Sequence, residues 1–100
     1  MKSHTLINKK IEVEEDIIEI TEYYLTISSE LAERFLNQLE KAEEAISRQP
    51  QGFEVKYKNV RTFLLKSFPY HIHYIIDNQN IVVIAVAHAK QENLDYSNRL

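Results

Sequence analysis

The apolar residues of this chain change their period once, and that change limits the folds open to it. Between Ile11 and Ile46 they recur as Val13, Ile17, Ile20, Tyr24 and Ile27, then as Leu31, Phe35, Leu39, Ala42 and Ile46, with Leu36 and Ala45 widening the second set. Spacing of three and four lines one face of an α-helix. Ser28 and Ser29 break the pattern in two, and a serine hydroxyl there can accept from the free N–H groups of the next turn. The early acids Glu14, Glu15 and Asp16 suit the positive end of a first helix. Pro50 and Gly52 stop the second. Helices joined so closely fold back as an antiparallel hairpin, and neither can bury its stripe on the other alone.

Beyond Pro50 the runs Val60 to Lys66, Tyr70 to Asp77 and Ile81 to His88 are β-branched, aromatic and of strand length. Asp77 to Asn80 is turn chemistry, which predicts a hairpin of the last two strands. Tyr70, Ile72, Tyr74 and Ile76 alternate with His71, His73, Ile75 and Asp77, one set for the core and one for a more polar face. Ile81 to Ala87 is apolar throughout, as in a strand covered on both sides, so the tail from Lys90 is expected to lie over the second face. Thr5 to Asn8 can add a short strand. The prediction is an α+β fold: an N-terminal helix hairpin packed on one face of a small, mainly antiparallel sheet.

One hundred residues make one domain, residues 1–100, with a single core. The chain is 44% hydrophobic and 27% charged, with one Gly and two Pro, which excludes collagen-like and low-complexity classes. Without cysteine it has no disulfide framework, thiolate nucleophile or Cys-ligated metal site. No signal-peptide or membrane-spanning run is present, so a soluble cytoplasmic protein is expected. A single glycine leaves no phosphate-cradling loop, no HExxH or nucleophile-elbow pattern occurs, and no cofactor is expected.

The net charge of −3 hides an asymmetry. From Ile11 to Ile46 eleven acids face Arg34 and Lys41, a net of −9; from Val55 to Ile76 no acid offsets Lys56, Lys58, Arg61 and Lys66, a net of +4. Acidic helices and a basic sheet are the expected layers. Tyr57, among Lys56, Lys58 and Arg61, is the tyrosine best placed for a binding surface, whereas Tyr70 and Tyr74 fall in register with core positions. His71 and His73, two apart, point the same way along a strand but lack an evident third metal ligand, so no metal site is assigned.

Arg61 opening a strand, the Phe68-Pro69-Tyr70 step followed by Ile72 and Tyr74, and the apolar strand ending at His88 together resemble the RelE/ParE superfamily of toxins from bacterial type II toxin–antitoxin modules, the plasmid-stabilisation-like proteins. The likeness covers nearly the whole chain. It implies a growth-inhibiting toxin held inactive in a hetero-oligomer by a cognate antitoxin. ParE-like members poison DNA gyrase; RelE-like members cleave messenger RNA on the ribosome. Many relatives continue past the His with arginines, a proline and an aromatic residue, whereas here the chain reads His88-Ala89-Lys90-Gln91-Glu92-Asn93-Leu94.

Cleavage by 2′-hydroxyl attack needs a proton acceptor, cations at the phosphate and an acid for the leaving oxygen. On the RelE-like reading Arg61, His88 and Lys90 are the catalytic candidates. Lys56, Tyr57, Lys58, Arg61, Lys66 and His73 are the candidates for target or nucleic-acid binding. The negative net charge opposes approach to a polyanionic ribosome, which favours the ParE-like reading and gyrase. The alternatives are a RelE-like endoribonuclease and a decayed toxin that keeps only antitoxin binding. Antitoxin is expected on the sheet's open face or in the groove beside the second helix.

Overall fold

A computed structural model of the chain describes residues 6–90 and 95–100. Strand β1 (Leu6–Lys9) leads into helix α1 (Ile11–Leu25), and helix α2 (Ser29–Arg48) follows after a short turn. A 3₁₀ turn at Pro50–Gly52 then opens the sheet half, with β2 (Val55–Tyr57), β3 (Val60–Leu64), β4 (Tyr70–Asp77) and β5 (Asn80–His88). A second 3₁₀ turn lies at Ser97–Arg99. The sheet order is β1-β5-β4-β3-β2, with β1 parallel to β5 and every other pair antiparallel. The α+β arrangement is the expected one. Thr5 and Gln91 to Leu94, which enter the expected first strand and tail, lie outside the described residues.

The helix boundaries follow from capping. The Ser28 hydroxyl accepts from the Leu31 N–H at 3.0 Å, which fixes Ser28 in an extended conformation and ends α1 at Leu25. Ile27 therefore leaves the expected apolar stripe and is 58% exposed. Leu36 also points outward. Val13, Ile20 and Tyr24 of α1 pack with Ala32, Phe35, Leu39, Ala42 and Ile46 of α2 onto Ile72, Tyr74, Ile81, Val83 and Val86 of the sheet. Phe35 is fully buried at the centre, its ring 5.7 Å from Tyr24, 5.6 Å from Phe68 and 5.8 Å from Tyr70. The buried Tyr74 hydroxyl donates to the Pro50 carbonyl at 2.7 Å, tying the end of the helix layer to the middle of the sheet.

The sheet departs from the expected three strands in two ways. A fourth antiparallel strand, β2, precedes β3, which ends at Leu64 and leaves Lys66 in the turn that follows. The register between β4 and β5 also slips: His73 faces Ala85 but Tyr74 faces Val83, so Ile84 is an extra residue. This bulge places Ile84 and Ala85 together on the face away from the helices, where they pack with Val60, Tyr57, Ile75, Val82 and Tyr96. The second face is thus a small core in its own right, and the segment 95–100 helps to cover it.

Candidate functional site

Three aromatic side chains organise the face away from the helices. The Tyr57 hydroxyl accepts the Tyr96 N–H at 3.1 Å and lies 3.0 Å from Nδ1 of His73. The His73 ring stacks edge-on with Tyr96 at 5.1 Å and sits perpendicular to His71 at 6.2 Å. His73 is only 6% exposed. Burial first, then the neighbouring charges of His71 and Arg99, push its pKa from 6.5 down to about 4. A neutral ring leaves Nδ1 to accept from the tyrosine, whose oxygen has already taken the Tyr96 amide.

The sign of the acid response follows. The unfolded imidazole binds its proton near pH 6.5 and the folded one only near pH 4, so between these values the unfolded state holds more protons. Stability is expected to fall by about 2 kcal/mol from pH 7 to pH 5 through this group. His73→Leu should remove that slope, measured by urea denaturation at the two pH values.

A latch holds the C-terminal segment across this face. The Arg99 guanidinium donates to both Asp16 carboxylate oxygens, at 2.8 and 3.3 Å, and to the Ile84 carbonyl at 2.9 Å, while lying 4.9 Å from the centre of the Tyr96 ring. Asp16 also accepts the Val86 N–H at 3.0 Å. β1 pairs with β5 only as far as Val83, and the bulge follows, so this carboxylate caps a strand edge beyond the last β1 pair. Lys58, at positive φ in the tight turn between β2 and β3, adds an ion pair to Asp95 at 3.3 Å and a hydrogen bond to Ser97 at 3.1 Å.

The basic candidates are dispersed. Arg61 lies opposite Tyr74, so its side chain belongs to the helix-side face, and its guanidinium donates to the carbonyls of Phe53 at 2.6 Å and Gln51 at 3.3 Å. It anchors the loop after α2. Lys56 is exposed beside Glu54 at 3.6 Å. Lys66 rims a cavity of about 220 Å³ between α2 and β3, with Lys41, Gln38, Ala42, Phe63 and Leu64. This is the groove beside the second helix. His73 and Tyr57, expected on a binding surface with Arg61, are instead packed on the opposite face from it.

His88 lies opposite Tyr70, its ring 5.2 Å from that tyrosine and its Nδ1 accepting the Lys90 N–H at 3.1 Å. Lys90 is exposed. His88 opens on a cavity of about 450 Å³ between α1 and β5, with Asp16, Glu19, Tyr23, Tyr70 and Tyr96 on its walls. Along β4, Arg61 and His88 stand four residues apart, about 13 Å, with two strand spacings of about 5 Å between their strands. The structure does not bring them together. Among the described residues no three His, Cys, Asp or Glu side chains are grouped to hold a metal ion.

Sequence reading missed the latch, because Asp16 looks like its neighbours Glu14 and Glu15, and Arg99 lies 83 residues away. The only local hint was that Asp16 falls between the solvent side and the apolar stripe.

A helix hairpin on one face of a five-stranded, largely antiparallel sheet defines a class of small α+β proteins with known representatives. One is a solved structure described as the chromosomal ParDE TA system from P. aeruginosa, which superposes with a TM-score of 0.74 at 15% identity, over 84% of this chain and 95% of that one. No curated protein matches the sequence. The family model for the ParE toxin of the type II toxin–antitoxin system parDE matches residues 10–93. The chain belongs to the ParE toxin family. Among the described residues no helix is long and apolar enough to cross a membrane.

Proposed function

We propose that the chain poisons its target by binding rather than by cutting RNA, that the target is DNA gyrase, and that a cognate antitoxin neutralises it in a cytoplasmic hetero-oligomer. Gyrase enters through the family resemblance. The observation that carries the choice against nuclease chemistry is the dispersal of the basic candidates: Arg61 is held by two backbone carbonyls on the helix side, His73 is buried on the other face, and His88 stands far along the sheet. General acid–base cleavage needs such groups within hydrogen-bond reach of one phosphate. The negative charge of the helix layer also disfavours docking on RNA. For the antitoxin, the groove between α2 and β3 offers the partly buried Phe63, with Leu64 beside it on the strand, between Lys41 and Lys66, which suits an apolar segment flanked by acids.

The test is induced expression in a bacterium lacking the antitoxin, with growth and a DNA-damage reporter read in the same culture. Arrest with the reporter on is expected, and His88→Ala and Lys90→Ala should arrest growth as wild type does. Arrest with a silent reporter, lost in those variants, would instead indicate RelE-like messenger RNA cleavage. Unchanged growth would leave a decayed toxin with antitoxin binding alone.

A further inference from the structure

Helix α1 buries Val13, Ile20 and Tyr24, yet its opposite side also carries large aliphatic residues: Ile11, Ile18 and Leu25 are 74%, 55% and 52% exposed. Residues seven apart return to within about 20° of the same direction on a helix, so the three form one line, about 21 Å long. Glu14 borders it on one side, and Glu15 and Glu22 on the other. Every charged residue of α1 is an acid, and the basic residue seen to engage the helix, Arg99, is bound to Asp16 away from this line. Among the described residues the stripe takes part in neither core cluster. Burial is complete without it, and three aligned, exposed aliphatics are a surface that water solvates poorly.

The charge pattern selects the occupant. A second copy would set two wholly acidic helices side by side, with glutamates facing glutamates across the seam, which disfavours pairing. A helix with the same seven-residue apolar line and Lys or Arg at its flanks would bury the stripe and pair each bordering glutamate. We propose that the outer face of α1 is a docking surface for a basic amphipathic helix of a partner protein. The surface is separate from the α2–β3 groove and independent of the gyrase reading. With only three aliphatics buried, the contact is of the small, transient kind, with a Kd on the order of 100 μM.

The chain has no Trp, so a synthetic 21-residue helical peptide with Leu on one face, Lys and Arg on its flanks and a single Trp reports binding through its own fluorescence. The full-length protein is titrated with this peptide and with a counterpart carrying Glu at the flanks. Saturable binding of the basic peptide alone is expected, weakening severalfold from 50 to about 500 mM salt as exposed charges are screened. The double variant Ile18→Ser/Leu25→Ser, altered only at exposed positions, should bind at least about tenfold more weakly with an unchanged circular dichroism spectrum. Glu15→Gln/Glu22→Gln should bind more weakly and lose most of the salt dependence. Equal binding by the serine variant, binding of both peptides alike, or no binding overturns the proposal. So does dimerisation of the free wild-type protein that the serine variant abolishes, since the stripe would then be a self-association face. None of these readouts involves toxicity, so failure here and failure of the gyrase reading are distinguishable.

Discussion

Phe35→Ala is expected to destabilise the protein by about 4 kcal/mol, close to the whole stability of many domains of this size. Phe35 is fully buried on α2, and its ring meets Tyr24 of α1, Phe68 of the β3–β4 turn and Tyr70 of β4. Truncation removes the transfer free energy of a benzyl group and leaves a cavity whose walls belong to three different elements. These cannot collapse together without breaking the hairpin's seat on the sheet. Edge-to-face ring contacts add about 0.5–1.5 kcal/mol each in favourable cases. The expected midpoint drop is roughly 20 °C for a domain of 100 residues, followed by circular dichroism on heating. Phe35→Leu should recover about half, because most of the volume returns. A loss under about 1 kcal/mol for the alanine variant would mean that the helix layer repacks freely.

Asp16→Ala is expected to cost about 2–4 kcal/mol, far more than its neighbour Glu15→Ala, which should stay within about 0.5 kcal/mol. The difference is one of partners. Glu15 is exposed, whereas the Asp16 side chain, 18% exposed, caps the Val86 N–H at the bulged edge and holds Arg99 in a two-point contact. Removing it strands a backbone donor and a half-buried guanidinium at once. Asp16→Asn can still accept from Val86 and should lose less. A double-mutant cycle with Arg99→Ala should give a coupling of about 1–2 kcal/mol, and the Val86 amide should exchange faster in Asp16→Ala than in Arg99→Ala. Additive losses would show that the two side chains act separately and that the C-terminal segment is held by Tyr96 and Lys58 alone.

The latch and the His73 cluster bear on function because they cover the part of the second sheet face around Val60, Ile84 and Ala85. Tyr96, Arg99 and Ser97 lie over it, each tied to a different element: Tyr57 on β2, Asp16 on α1 and Lys58 in the β2–β3 turn. Among the described residues the fold leaves open the α2–β3 groove, the outer line of α1 and the cavity beside His88 between α1 and β5.

Local sequence determined the parts of this protein whose physics is local. Three-and-four spacing put Val13, Ile20, Phe35, Leu39 and Ile46 in the core, Ser28 separated the helices, and turn residues joined β4 to β5. The resemblance carried by Arg61, Phe68-Pro69-Tyr70 and His88 named the family. The candidate site was legible only as a list of basic residues in one stretch, because a strand's pattern tells which residues alternate but not which carbonyls wait on either side. Only the tertiary structure turned Arg61 toward Phe53 and Gln51, buried His73 beneath Tyr96, and spread the remaining bases along the sheet. It also decided the Ile84 bulge, since an uninterrupted apolar run from Ile81 to Ala87 fits either register and only the competing demands of two packed faces choose between them. The same holds for the pair Asp16 and Arg99. A contact across 83 residues is set by where the chain's ends arrive, and that is known only once the sheet has formed.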